Sequence, residues 1–409
     1  MSPVLPFDIL DLIIDIVGED KDINLIKELA LVSHYFLQIC SKHLFATVEL
    51  RDWHASDIVP MNNRSSKKGF VKLLKKRPDV VNYIRKLSYK LSSVHEFAWD
   101  SSSPVNNDDL LSPILPNILR TIPHLNYLKI DASQLDWNSL NSSLKSAFLH
   151  LIHLPTLNHI NLSYIRNFPL SSLTSSVNLL RLDISHLSSG LPEFFFQSEM
   201  MPNIHEFHTS GSFWLTRKLL RAKTQDGRSA FNLVDLRRLS MSLTCCEDEQ
   251  NFRYLLQNAK LLEKLHLSVG PSSGGTVVGF LSPARTLKVL DLSMALYSTG
   301  INGMPLGGLC EELDAMAGHN VLEALSCDIR IDQYYTIDII GSVIQDMEVL
   351  VKPGWPALRQ VSLKVSCRAA MMESIYRMFF EELQSLPDEY LSRLSKLDSV
   401  AFNYSVCVV

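Results

Sequence analysis

The 409-residue sequence has few features of a metal, disulfide or membrane protein. Its seven cysteines are single apart from the adjacent pair Cys245-Cys246, and their odd number provides no disulfide framework. No Cys-x-x-Cys, zinc-type histidine pair or His-Glu-x-x-His spacing occurs, so neither a metal nor a cofactor is expected. The most apolar stretch, residues 148–157, is too short to span a bilayer and contains histidines and a proline. These absences favour a protein of a reducing compartment, the cytoplasm or the nucleus, with no membrane association.

The charge balance gives no global reason to bind nucleic acid or an anionic membrane. Lysine and arginine total 39 against 43 aspartates and glutamates, a formal net charge of −4. The first residues are acidic and apolar, without the basic leader of a signal peptide. No nucleophile elbow or recognisable triad order appears, and the scattered histidines are coupled to no named acid or nucleophile. The sequence therefore predicts no catalytic residue and no enzyme activity.

What the sequence does have is a short apolar phrase that recurs along most of its length. The phrase is an apolar residue, two others, an apolar residue, one other and a final apolar residue, as in Leu125-Asn-Tyr-Leu128-Lys-Ile130. Its copies lie at residues 84–89, 125–130, 157–162, 179–184, 204–209, 236–241, 262–267, 287–292, 322–327, 358–363 and 397–402. Successive copies begin roughly 22 to 40 residues apart, which overlaps and exceeds the range of leucine-rich repeats. One such unit cannot bury its apolar residues alone, so neighbouring units are expected to stack into a solenoid.

The stretches between the phrases often have a helical pattern, for example at residues 140–152 and 309–317. Strands that alternate with helices along the chain require parallel pairing through right-handed crossovers. Because helices are wider than strands, the stack is expected to curve into a horseshoe with its strands on the concave face and its helices on the convex face. The sequence thus predicts an α/β, irregular leucine-rich-repeat solenoid of about eleven repeats over residues 84–409, preceded by a linker and a first outer helix at residues 51–83.

The residues between the apolar positions of each phrase are expected on the concave face, because side chains alternate along a strand. Solenoids use such surfaces for recognition. The candidate target-binding residues are Tyr127, Lys129, His159, Arg181, Asp183, His208, Arg238, Lys264, His266 and Asp291. Their cations would suit a partner with exposed carboxylates or phosphates, whereas Asp183 and Asp291 weaken that preference. The same surface is also compatible with a small-molecule ligand.

Residues 1–50 have a different pattern, that of three short helices followed by a strand at residues 44–50. One stripe of the first helix consists of Leu10, Ile13, Ile14 and Val17. The segment Gly18-Glu-Asp20 is expected to end this helix. A unit of this size is too small to hide all its apolar surface, so part of it is expected to face a partner or the solenoid.

These first 50 residues resemble an F-box, particularly of the fungal type. The resemblance lies in Leu5-Pro6 followed by Asp8-Ile9-Leu10, in Leu29-Ala-Leu-Val32-Ser33, in Phe36, and in the closing His43-Leu44-Phe45. It implies docking onto the Skp adaptor of an SCF-type cullin–RING ubiquitin ligase, with Leu5, Pro6, Ile9, Leu10, Ile13, Leu29, Val32 and Ser33 as the docking residues. The sequence departs from the family in having Phe36 where a tryptophan often follows the Val-Ser pair, and in the polar link at residues 18–22.

Together, the resemblance and the repeats imply a non-catalytic substrate-receptor subunit of such a ligase. The F-box would bind the adaptor, and the repeats would bind a target protein that the sequence does not identify. The alternative is a leucine-rich-repeat interaction scaffold with no ligase role, in which the first 50 residues are only a helical cap over the first repeat.

Overall fold

A computed structural model describes most of the chain. The described residues are 7–20, 22–51, 65–91, 114–188, 195–196, 202–224, 226–270, 281, 285–296, 309–331, 345, 347–367, 380–386, 393 and 399–408. Leu5 and Pro6, two of the expected docking residues, lie outside these ranges. The chain divides into two compact units, Met1–Pro202 with Thr224–Asp226, and Asn203–Lys223 with Gly227–Val409.

The first unit begins with a module of three helices around a small apolar core. The helices are α1 (Phe7–Glu19), α2 (Ile23–Ala30) and α3 (His34–Leu44). Asp22 Oδ1 accepts a hydrogen bond from the backbone N–H of Leu25 at 3.1 Å and so caps α2. The core consists of the buried Ile14, Ile26, Ala30 and Cys40, surrounded by the half-buried Val17, Leu29, Phe36, Leu37, Ile39 and Leu44. The three helices expected from apolar spacing are confirmed.

Helix α1 ends at Glu19, within the segment Gly18-Glu-Asp20 where the sequence predicted its end, so this expectation is confirmed. Gly18 itself still lies in the helix, and the His43 ring of α3 packs directly against its backbone. A Cβ at this position would collide with that ring, and glycine therefore permits the close approach of α1 and α3. Asp15 links the same two helices, because its Oδ1 lies 2.6 Å from Lys42 Nζ and 2.8 Å from His43 Nε2.

The rest of the first unit is a parallel sheet whose strands are connected mainly through helices. The strands are β1 (Thr47–Arg51), β2 (Ser65–Ser66), β3 (Lys86–Lys90), β4 (Tyr127–Asp136), β5 (His159–Arg166), β6 (Arg181–Ser185) and a two-residue β7 (Phe195–Phe196). The helices are α4 (Lys67–Lys76), α5 (Ile114–Arg120) and α6 (Ser142–Ile152), with 3-10 helices at Pro78–Tyr83, Trp137–Ser139 and Leu170–Ser175. The sheet order is β2-β1-β3-β4-β5-β6, with every neighbouring pair parallel. The strand predicted at residues 44–50 is thus β1, and it pairs with β3.

The second unit repeats this arrangement. Its strands are β8 (Glu206–Ser210), β10 (Arg238–Leu243), β11 (Lys264–Val269), β12 (Val289–Leu296), β13 (Ala324–Ile331), β14 (Gln360–Cys367) and β15 (Ala401–Val408). The short β9 (Lys223–Thr224) has one residue in each unit. Its helices are α7 (Phe213–Arg221), α8 (Cys246–Asn258) and α9 (Leu309–Met316), a 3-10 helix at Met347–Val351, and a helical stretch at residues 380–386. Strands β8, β10, β11, β12, β13, β14 and β15 follow one another in a parallel sheet. The expected α/β class with parallel strands is therefore confirmed.

The apolar phrases account for the strands. In ten of the eleven phrases, a strand begins at the third residue. The side chains at the three phrase positions of these ten are at most 4% exposed. The residues between them within each strand are half-buried or exposed, except for the buried Asp183. Each strand therefore has one face in the core and one polar face, as the alternation of side chains requires.

The eleventh phrase is displaced by two residues from its predicted position. Strand β15 pairs Phe402 with Val361 and Tyr404 with Leu363, so that residues 399–404 rather than 397–402 correspond to the other phrases. A shift of two residues keeps every side chain on the same side of a strand. Ala401 and Asn403 therefore retain the expected side of the strand despite the displacement.

Candidate functional site

One side of α1 carries apolar side chains that lie outside the core of the three-helix module. This surface, the outer stripe, consists of Ile9, Leu12, Ile13 and Ile16. Its members are three or four residues apart, which aligns them along the helix, and each is 42–56% exposed. A second stripe consists of the buried Ile14 and the half-buried Leu10 and Val17. Helix α1 is thus apolar on two sides, and only one of them serves the module's own core.

The residues that the resemblance assigns to adaptor docking lie in three environments. Ile9 and Ile13 belong to the outer stripe, and Val32, at the turn between α2 and α3, is 66% exposed. Leu10 is half-buried, as is Leu29, which packs against the core of the module. The exposed apolar members of this set are those with surface to offer a partner.

Ser33 has a structural task of its own. It is exposed, and its Oγ accepts a hydrogen bond from the backbone N–H of Phe36 at 3.3 Å, which caps α3. The first turn of α3 accounts for this serine without a partner.

The sequence interpretation missed several exposed apolar residues of the module. Phe7 is 62% exposed, Leu12 56%, Ile16 53% and Leu31 87%. Leu12 and Ile16 follow Ile9 by three and seven residues, the spacing of a helical stripe, and this signal was present in the sequence. Leu31 has no such periodic signal, because it lies in the turn after α2.

The polar face of the first unit contains a hydrogen-bonded cluster around Asp183 on β6. The Asp183 side chain is 7% exposed. Its carboxylate accepts hydrogen bonds from His159 Nε2 at 2.8 Å, Asn161 Nδ2 at 3.3 Å and Arg181 Nε at 3.1 Å. The Tyr127 ring stacks edge-on against the His159 ring, with centroids 4.5 Å apart. The structure therefore brings together four of the predicted site residues on three adjacent strands.

The electrostatics of this cluster favour an ionised Asp183. Burial raises the pKa of the carboxyl, but the hydrogen bonds and charges of His159 and Arg181 together outweigh it and leave the pKa below the usual value. Burial, assisted by the negative charge of Asp183, raises the pKa of the Tyr127 hydroxyl. At neutral pH the cluster therefore holds an anionic carboxylate beside a neutral phenol.

The lowered pKa of Asp183 makes a testable prediction about acid stability. A carboxyl with a lowered folded-state pKa stabilises the fold above its unfolded pKa of about 3.9, and this contribution is lost as the pH falls through the folded pKa. We expect Asp183→Asn to lower the free energy of unfolding by about 1–3 kcal/mol at pH 7 and by progressively less below about pH 4. Urea unfolding at a series of pH values measures the difference.

The control for this prediction is Asp131→Asn on β4. No described side chain donates a hydrogen bond to the Asp131 carboxylate, so its effect should stay within about 0.5 kcal/mol at every pH. If Asp183→Asn lowers the free energy of unfolding by the same amount at neutral and at acidic pH, the lowered pKa of Asp183 is contradicted.

The polar face of the second unit is largely neutralised by its own ion pairs. Arg238 Nη1 lies 2.9 Å from Glu206 Oε1 on the neighbouring strand, and Lys264 Nζ lies 3.2 Å from Asp291 Oδ2. His266 and His208 are half-buried on the same face. In the strand register His266 lies between Ser240 and Asp291, and His208 lies opposite Ser240. The cations that the sequence offers to an acidic partner are thus already paired with carboxylates in this unit.

Lys129 is the last of the predicted target-binding residues to be located in the structure. It is half-buried on β4, level with Ser88 of β3 and Asn161 of β5. Its ammonium forms no ion pair with any carboxylate in the described part of the chain.

The described residues contain no cluster of three or more histidine, cysteine or acidic side chains that could hold a metal ion. Of the helices that the structure describes, none is both long enough and apolar enough to cross a membrane. No protein-family model matches this chain. No curated protein is similar to it in sequence either.

Proposed function

We propose that this protein is a substrate-receptor subunit of an SCF-type cullin–RING ubiquitin ligase, with an F-box at its N-terminus and a leucine-rich-repeat solenoid after it. The three-helix module would bind the Skp adaptor, and the polar face of the strands would bind a target protein. The protein itself would catalyse nothing and hold no cofactor. It would act in the cytoplasm or the nucleus by holding the target's lysines near a ubiquitin-charged enzyme, which raises their effective concentration.

The observation that carries the proposal is the outer stripe of α1. Its four side chains remain 42–56% exposed although the module has a core of its own. Contiguous apolar surface of this kind marks a protein–protein interface. A module that served only to cap the first repeat would be expected to bury this stripe against the repeat, so the exposure favours a docking role over a cap.

The second element of the proposal is the set of parallel strands. Each strand presents alternate side chains on one polar face, and stacked repeats use such faces to bind other proteins. The residues of this face are supported on rigid strands rather than on loops, which keeps their spacing fixed.

The proposal is tested by mixing the purified full chain with a purified Skp adaptor and measuring the mass of the complex by light scattering after size exclusion. We expect a one-to-one complex with sub-micromolar affinity, and poorer solubility of the chain without its adaptor, because the outer stripe would then face water. If the chain stays monodisperse alone and the adaptor elutes separately, the scaffold without a ligase role becomes the better description.

A further inference from the structure

Three lysines on the polar face of the first unit lack the carboxylate partners that the other predicted cations have. Lys86 and Lys90 lie on β3, and Lys129 lies on β4. None of the three forms an ion pair with an acidic side chain among the described residues. By contrast, Arg181, Arg238 and Lys264 are each paired with a carboxylate on the same face. Strand β14 carries one further lysine without an ion pair among the described residues, Lys364, whereas β3 and β4 bring three such lysines together.

The strand register gives these lysines a regular spacing. Lys129 is paired with Ser88, midway between Lys86 and Lys90 along the strand direction. At about 3.3 Å per residue, Lys86 and Lys90 are about 13 Å apart, and Lys129 is level with the midpoint, about 6.6 Å from each along the strands. An extended peptide presents alternate side chains on one side at this same interval.

The stretch of sequence that leads into β3 is strongly basic. Between Arg64 and Lys90 the chain has ten lysines and arginines and a single acidic residue, Asp79, although the whole chain has a net charge of −4. The polar face also contains Asp131, opposite Lys90 in the register, and Glu49 on β1, which is paired with Arg51. Asp131 and Lys90 do not form an ion pair, so both stay available to a partner.

We propose that the polar face of β3 and β4 binds an extended acidic peptide segment of the target protein, with alternate carboxylates on Lys86, Lys129 and Lys90. This inference rests on the proposed function, in which the polar face is the target-binding surface. The buried Asp183 does not oppose such a segment, because it already forms an ion pair with Arg181 and a hydrogen bond with His159.

The aromatic side chains of this surface favour a peptide over a single-stranded nucleic acid. Nucleic-acid channels combine basic residues with exposed aromatic rings on which bases stack. Here Tyr89 is 1% exposed, and the Tyr127 ring is half-buried and engaged edge-on with His159. Lysines without a stacking ring match a row of carboxylates better than they match unpaired bases.

The test uses the full chain and a fluorescein-labelled peptide of about ten residues in which glutamate and serine alternate, read by fluorescence anisotropy. We expect the triple variant Lys86→Gln, Lys90→Gln, Lys129→Gln to bind it about tenfold or more weakly, and binding by the natural chain to weaken as salt is raised. The matched control removes the same charge from the second unit, as Arg238→Gln, Lys264→Gln, Lys364→Gln, and should bind like the natural chain. The charge-preserving triple change of the three β3–β4 lysines to arginine should retain binding.

Three results would overturn the inference. They are an equal loss of binding in the control variant, equal binding of a peptide with the same composition but glutamates in one block, and tighter binding of a single-stranded oligothymidylate than of the alternating peptide. Adaptor binding is measured on the same preparations, because β3 and β4 are separate from the outer stripe. A chain that binds the peptide but not the adaptor contradicts the proposed function alone. A chain that binds the adaptor but not the peptide contradicts this inference alone.

Discussion

Replacing Ile9 and Ile13 together with aspartate should weaken adaptor binding more than about a hundredfold. Burial of each isoleucine side chain contributes about 1.5–3 kcal/mol to an interface, and a carboxylate left unpaired in the contact adds a further penalty. Both side chains are substantially exposed, at 42% and 44%, and neither belongs to the core of the module. The folded state should therefore tolerate the change while the interface does not. Calorimetric titration with the Skp adaptor measures the loss.

A matched control exists elsewhere in the chain. Leu180→Asp with Leu261→Asp changes two apolar side chains that are each 41% exposed and lie outside the three-helix module. This variant should bind the adaptor with the affinity of the natural chain. Helical content and thermal midpoint should be similar in both double variants, so that a change in affinity reports on the surface itself. Undiminished binding by the Ile9 and Ile13 variant would mean that the adaptor does not use the outer stripe.

The strands could be predicted from the sequence because their signal is local. Two apolar residues with a period of two, as in Leu265 and Leu267, preceded by a third such as Leu262, define both the strand and the side that is buried. The eleventh copy was misplaced because Leu397 offers an apolar residue two positions before Ser399, the residue that occupies the first position in the actual register. The error did not affect the face of the strand, since the pattern repeats every two residues.

Which of the two apolar stripes of α1 enters the core could not be predicted from its sequence. Apolar residues surround much of this helix, and Ile13 was grouped with Ile14 because they follow Leu10 by three and four residues, the spacing of one helical stripe. Which side becomes the core depends on where α2 and α3 pack, and that is a tertiary choice. The helices place Ile26 and Cys40 beside Ile14, which leaves Ile13 to the outer stripe.

The charge pairing on the polar face also required the structure. Arg238 and Glu206 are 32 residues apart, and they meet only because their strands are neighbours in register. The lengths of the connections vary from repeat to repeat, so the sequence alone identifies which residues are on the face but not which charges cancel. The sequence pointed to Arg238, Lys264 and Lys129 alike, whereas the structure pairs the first two with carboxylates. It leaves Lys129 without an ion pair among the described residues, close to the equally unpaired Lys86 and Lys90 of the neighbouring strand.

The polar face of β3 and β4 is supported from below by a cluster of aromatic rings. Phe148 of α6 is fully buried, and its ring lies edge-on to Tyr89 of β3 with centroids 5.1 Å apart. Its ring is also 6.1 Å from that of Trp137, which in turn contacts Phe168. Tyr89 lies between Lys86 and Lys90 in β3, so the same strand carries the buried ring and two of the unpaired lysines.

Phe148→Ala should therefore lower the free energy of unfolding by about 3–5 kcal/mol, the sum of lost apolar burial and of the cavity left behind. In hydrogen-exchange measurements, the backbone amides of β3 and β4 should exchange more than about a hundredfold faster than in the natural chain, because these strands lose the ring that packs against Tyr89. The control is His150→Ala, an exposed position on the same helix, which should change stability by no more than about 0.5 kcal/mol. Protection of β3 that survives the loss of the Phe148 ring would mean that the lysine-bearing strand is held by the sheet alone, and that its spacing does not depend on the aromatic cluster.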